Sequence, residues 1–205
     1  ALAQPPLPAA QRELAGAIRD SALRMNALVA NLLDMARLEA GAVQLNRAWQ
    51  PLEEVVGAAL AACAPALAAH PVSVALPDDL PLLEFDAVLI ERVLVTLLEN
   101  AAKYAPPGTP LRIAAAPAGE RVAISVDDDG PGLPRGREEA IFEKFERGAR
   151  ESATPGVGLG LAICRAIVQA HGGTMRGETR VDGGRGAGAR FTIELPRGPP
   201  PRDDG

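Results

Sequence analysis

The stretch TPGVGLGLAICRA, residues 154–166, sets Gly156, Gly158 and Gly160 at every second position and then runs into an apolar helical pattern. Glycines in that rhythm let a ligand approach the backbone, and the free N–H groups of a helix start favour an anion. The stretch therefore reads as a phosphate site. A dinucleotide fold needs Gly-x-Gly-x-x-Gly directly after a strand, whereas Gly-x-Gly-x-Gly here follows the polar loop GARESATP. A Walker loop continues into Gly-Lys-Ser/Thr, which does not follow. The remaining reading is a lid over a triphosphate, with a helix N-terminus behind it.

Working outward, three more stretches carry polar groups at telling spacings. On a predicted helix over 86–104, Thr96, Asn100 and Lys103 form one stripe, and Leu89, Val93, Leu94, Leu97, Leu98 and Ala101 form the apolar face. Asn100 either satisfies its own helix end or offers a neutral oxygen to Mg²⁺, which takes most other ligands from water and substrate phosphates. On the second reading Lys103 is a point charge on a phosphate and Tyr104 a wall of the nucleotide pocket. In VDDDGPGLP, residues 126–134, a strand ends in acids before Gly130, Pro131 and Gly132. This is either a plain turn or a site in which Asp128 accepts from the exocyclic amine of adenine while Gly130 and Gly132 leave room for the purine. In IFEKFERG, residues 141–148, Ile141, Phe142 and Phe145 dock a short helix, and Lys144 and Arg147 either reach phosphates or form a solvated face.

The surrounding pattern alternates strands and helices. Strands are expected near 42–49, 72–76, 82–85, 110–117, 121–128, 173–181 and 189–195, with helices over 51–69, 86–104 and about 158–170. The expected fold class is α+β: an α/β sandwich with a mixed sheet and helices packed on one face. Before it, residues 11–41 form a long amphipathic helix in which Ile18, Met25 and Leu32 recur every seven residues, with Gly41 as its stop. Such a helix packs on its own domain or, as its length favours, in a bundle. Residues 1–10 read as a linker, 42–196 as the main domain and 197–205 as a disordered tail.

Composition narrows the function. The net charge of −5 argues against a nucleic-acid partner. Cys63 and Cys164 stand apart and read as buried thiols of a reducing compartment, a disulfide being the alternative. No apolar run of about 18 residues occurs, so contact with a membrane is expected only through other parts of a parent protein.

In order and spacing, Asn on a helix, Asp-x-Gly-x-Gly after a strand, a Phe-bearing short helix and Gly-x-Gly-x-Gly before a helix resemble the ATP site of sensor histidine kinases. That site is built on the Bergerat-type sandwich, and the resemblance spans about residues 11–196. RLEAG, RAWQPLEEVVGAAL, LLENAAKYA and FERGARESATPGVGLGLAICRAIVQAHGG are similar to the branch of that family that senses potassium limitation. The resemblance implies ATP and Mg²⁺ as ligands, with Asn100 on the metal and Asp128 selecting adenine. Lys103, Lys144 and Arg147 would offset phosphate charge, while the amides of Gly156, Val157, Gly158, Leu159, Gly160 and Leu161 wrap the β- and γ-phosphates. It also implies a cytoplasmic domain of a bacterial inner-membrane protein, homodimeric in full, that phosphorylates a histidine and passes the group to a response regulator receiver domain.

The chain departs from that pattern in two places. Thr96 stands where the family often has a second asparagine, so the metal role is carried to Asn100 alone. No His-Asp/Glu-Leu-Arg stretch precedes the long helix; His70 and His171 lie in the catalytic region and read as capping or packing residues. The phosphoacceptor is therefore expected on a separate histidine-bearing helix of the parent protein. Gyrase-like ATPases share the nucleotide fold but place a general-base glutamate at the position of Thr96, which cannot take a proton near neutral pH. Glu99, next to Asn100 in sequence, lies about 100° away from it around the helix and does not replace the base. A non-catalytic dimerisation module is the third alternative.

Overall fold

The computed structural model describes residues 8–39, 44–144, 158–182 and 185–198. Its elements are α1 (Ala9–Glu39), β1 (Ala48–Gln50), α2 (Leu52–Ala62), α3 (Ala64–Leu67), β2 (Val72–Ala75), β3 (Leu83–Phe85) and α4 (Ala87–Tyr104). β4 (Leu111–Ala118), β5 (Arg121–Asp127), a 3-10 turn (Ala140–Phe142), α5 (Gly160–Ala170), β6 (Thr174–Asp182) and β7 (Arg185–Pro196) complete it. The main sheet has the order β2-β4-β5-β7-β6. β2 runs parallel to β4, and the other neighbours are antiparallel. β1 and β3 form a separate antiparallel pair. The mixed sheet with helices on one face is the expected α+β sandwich, preceded by the long helix.

The alternation of side chains along each strand divides the sheet into two faces. Ile113, Val126 and Phe191 are cross-strand neighbours, as are Ala115, Ile124 and Ile193, and all six are buried. These rows meet the apolar face of α4, in which Ile90, Val93, Leu94, Leu97, Leu98 and Ala101 are buried. Leu89, expected in that face, is only partly buried, and Ile90 takes its place. The Asp86 carboxylate caps α4 by accepting from Leu89 N–H at 3.2 Å. Pro106 stops it: the residue before a proline is driven out of the helical region, and Ala105 sits at ψ 141°.

The structure corrects three boundaries. The helix expected over 51–69 is broken at Cys63 into α2 and α3, because Pro65 has no N–H to give the carbonyl of Ala61. The strand expected over 42–49 is reduced to β1; residues 44–47 are irregular and 40–43, with Gly41, lie outside the described residues. The short helix expected around Phe142 is a single 3-10 turn. Both cysteines are free and buried. α1 lies against α5, yet Leu14, Ile18, Met25, Val29, Leu32 and Leu33 remain exposed. No helix among the described residues is long and apolar enough to cross a membrane.

Candidate functional site

The motifs converge along α4. The Tyr104 carbonyl lies 3.1 Å from where a Cβ on Gly130 would stand, and Thr96 Cγ2 lies 3.2 Å from the equivalent point on Gly160. Asn100 is one turn from each of those two helix residues, so it stands between the acid-glycine loop and the start of α5. It is half-buried. Lys103 places its ammonium 4.9 Å from the centre of the exposed Tyr104 ring.

Of three consecutive acids, only the middle one faces this space. Asp128 is 4% exposed. Its Oδ1 accepts from Gly130 N–H at 2.7 Å and from Ala189 N–H at 3.2 Å. Asp127 and Asp129 belong to the opposite face, as the period of two requires. Arg190 binds both oxygens of Asp127 at 2.8 and 2.6 Å. Arg112 binds both oxygens of Asp129 at 2.9 and 3.2 Å, and Arg180 adds a contact to Asp129 at 2.6 Å. Burial pushes the Asp128 carboxyl above the ordinary range, against the opposing pull of the Gly130 and Ala189 amides. The Arg112 guanidinium holds Asp129 below that range.

The glycines have reasons within the protein beside the purine clearance expected of them. A Cβ on Gly130 would stand 2.7 Å from Asp128 Oδ1. Gly132 has φ +76°, and a Cβ there would meet Thr179 Cγ2 at 2.6 Å. Gly158 turns with φ +72° into Leu159, which caps α5 and is buried. Leu161 packs partly against the core. Gly156, Val157, Phe145 and Arg147 lie outside the described residues. Lys144 is exposed just beyond the 3-10 turn. In that turn Phe142 meets Phe191 edge-on with centroids 6.4 Å apart, and Arg165 of α5 stacks on it at 3.7 Å.

Thr96 does not face a ligand with its hydroxyl, which donates to the Arg92 carbonyl at 2.9 Å. Burial, and after it the charge of the exposed Glu99, raises the Cys63 thiol, which places Glu99 on the α2 side. His171 is 3% exposed. Its Nδ1 donates to the Ile167 carbonyl at 2.8 Å, and its Nε2 accepts from Asp86 N–H at 3.1 Å. Burial lowers its pKa, so the ring is neutral and joins the end of α5 to the start of α4. His70 Nδ1 lies 3.1 Å from the Thr109 carbonyl. The hairpin residues Thr179, Arg180, Gly188 and Ala189, which touch the Asp128 loop, went unnoticed in the sequence, where only the interruption of β-pattern by glycines marks them.

The family described as histidine kinase-, DNA gyrase B-, and HSP90-like ATPase matches residues 85–199. Sensor protein KdpD of Escherichia coli (strain K12) is 50% identical over 183 residues, covering 89% of this chain and 20% of that protein. Sensor protein KdpD of Mycobacterium tuberculosis (strain CDC 1551 / Oshkosh) is 42% identical over 180 residues, covering 84% of this chain and 20% of that protein. The chain thus spans about a fifth of the length of these curated relatives. The crystal structure of full-length ShkA in complex with AMPPNP superposes with a TM-score of 0.80 at 30% identity, covering 94% of this chain and 40% of that one. The matched region takes in Asn100, Asp128 and the glycine run together, and the chain belongs to the histidine kinase-, DNA gyrase B- and HSP90-like ATPases, among their sensor-kinase members.

Proposed function

We propose that this chain is the ATP-binding catalytic region of a two-component sensor histidine kinase. It holds ATP·Mg²⁺ and delivers the γ-phosphoryl group to a histidine outside these residues, from which the group passes to an aspartate of a response regulator. The observation that carries this reading is Asp128: a buried carboxylate whose Oδ1 is engaged by two backbone amides, so that Oδ2 serves the adenine amine. Potassium limitation is the proposed signal of the parent protein, supported by the 50% identity with KdpD.

Phosphoryl transfer rests on positioning and charge neutralisation. The N–P bond forms as the bond from the γ-phosphorus to the bridging oxygen breaks, and ADP leaves. Asp128 orients the base, Lys103, Lys144 and Arg147 offset phosphate charge, and the amides of 156–161 wrap the β- and γ-phosphates. Mg²⁺, when bound, screens the phosphate charge. Among the described residues no group of three or more His, Cys, Asp or Glu is arranged for a metal. The neutral Asn100 amide, half-buried between the adenine loop and the start of α5, fits an ion that takes its other ligands from phosphates and water. ATP hydrolysis as the main activity is disfavoured, because the Thr96 hydroxyl is spent on Arg92 and Glu99 points away.

Calorimetric titration tests the reading. ATP·Mg²⁺ should bind more tightly than GTP·Mg²⁺, whose position-6 group is an acceptor facing Asp128. Asn100→Ala should remove the increment that Mg²⁺ adds to ATP affinity and leave the fold intact, since a polar stripe residue opens no core cavity. Equal affinity for the two nucleotides would dismiss Asp128 from base selection, and an unchanged Mg²⁺ increment would dismiss Asn100 from the metal.

A further inference from the structure

The loop after Asp128 is fastened from outside by the β6–β7 hairpin. Arg180 Nη1 donates to the Asp128 main-chain carbonyl at 3.0 Å and to Asp129 Oδ1 at 2.6 Å. Its Nε lies 3.6 Å from Asp127 Oδ2. Further along the loop, Leu133 N–H donates to the Thr179 hydroxyl at 2.9 Å, beside Gly132. On the other strand Gly188, at φ +118°, presses its α-carbon so close to the Asp128 carbonyl that a Cβ would overlap it. Of the three arginines of the cluster, Arg112 and Arg190 bind the flanking carboxylates, while Arg180 donates to the main-chain carbonyl of Asp128, whose N–H donates to the Ala189 carbonyl at 3.0 Å.

We propose that Arg180 is a positioning residue for nucleotide selection: from β6 it holds the backbone of Asp128 so that the carboxylate faces the base. This rests on the reading that Asp128 recognises adenine. A single guanidinium nitrogen bridges one residue's carbonyl and the next residue's carboxylate, which sets the peptide plane between them. The carboxylate on the inner face inherits that orientation, because Asp128 Oδ1 is in turn held by Gly130 and Ala189. Arg180 acts on the base through Asp128, whose carbonyl it holds, while its charge also pairs with Asp129 and Asp127.

The test compares four variants by titration with ATP·Mg²⁺ and GTP·Mg²⁺ and by phosphorylation of a separate histidine-bearing hairpin of the parent protein. Arg180→Met should weaken ATP binding roughly tenfold, the loss expected for one charge-assisted hydrogen bond. It should also shrink the ATP-over-GTP preference, raising KM for ATP while kcat at saturating ATP stays near wild type. Arg180→Lys keeps the charge without the fork and should recover part of the preference. Arg112→Met leaves Asp129 with Arg180 and should not alter the preference. Wild-type affinity and preference in Arg180→Met would overturn the proposal, as would an equal loss in Arg112→Met, which would assign the effect to charge alone. If Arg180→Met does not fold, Arg180→Lys decides: a reduced preference supports the proposal and a wild-type one overturns it. Asp128→Asn separates the two levels. If it leaves the preference intact, the adenine role of Asp128 fails; if it abolishes the preference while both Arg180 variants keep it, only the role of Arg180 fails.

Discussion

Asp128 is costly to the fold and useful to the site for the same reason. Its carboxyl is buried, with Arg180 near but bonded to its main chain rather than its carboxylate. An aspartate whose pKa rises on folding contributes stability below the ordinary range, near ~3.9, and loses it as pH rises through the folded value. Ionising this carboxyl in the folded state therefore lowers stability. Asp128→Asn keeps an oxygen for the Gly130 and Ala189 amides and turns a nitrogen toward the base. The variant should be at least as heat-stable as wild type without nucleotide at neutral pH, with the gap closing on acidification. Its ATP affinity should fall roughly tenfold to a hundredfold. In wild type, ATP affinity should decline on acidification from a higher pH than an ordinary carboxylate would allow. Melting curves and titrations across pH check both; a neutral-pH loss of stability in Asp128→Asn would mean that the charge is stabilised where it sits.

At the scale of elements, α4 and α5 meet so closely that packing also bears on one glycine of the run, Gly160. Thr96 Cγ2 faces Gly160, and the threonine is held in place by its bond to Arg92. An alanine at 160 has to displace it by a few tenths of an ångström, which offsets the roughly 0.5–1 kcal/mol that alanine gains over glycine in a helix. Gly160→Ala should therefore change stability little in wild type and raise it by about that amount in a Thr96→Ala background. A double-mutant cycle by denaturant melts measures the coupling. If Gly160→Ala acts identically in both backgrounds, the two helices do not touch there. His171 is a further tie between these helices, at their other end, through Asp86 N–H.

Across the whole molecule, the nucleotide motifs gather at one end of the sandwich while both histidines are committed elsewhere. His171 uses both ring nitrogens inside the fold, and His70 sits by Thr109. The chain alone should therefore bind ATP without acquiring acid-labile label from γ-labelled ATP. Adding a histidine-bearing helical hairpin of the parent protein should produce that label on the hairpin. The exposed Ile18, Met25 and Leu32 of α1 are the surface on which such a helix is expected to pack. Label on the chain alone, removed by His171→Gln, would show that the acceptor lies within these residues.

Local chemistry made much of this legible in the sequence. The period of four along α4 marked its apolar face and put Asn100 and Lys103 on the polar stripe, and Asp-x-Gly-x-Gly singled out Asp128 by spacing alone. The seven-residue recurrence marked α1. Such signals are legible because they depend on residues within a turn or two of one another. The break at Pro65 is local as well, a consequence of the missing N–H, whereas the identity of Ile90 as a core residue and the single 3-10 turn at Phe142 came only with three dimensions. So did the packing reason for Gly160 and the arginine cluster behind the Asp128 loop. Arg112 and Asp127, or Asp127 and Arg190, are neighbours only because strand register sets them side by side. Register depends on how distant strands pair and on which face each buries, and nothing within a few residues of Arg180 says that Asp128 lies beneath it.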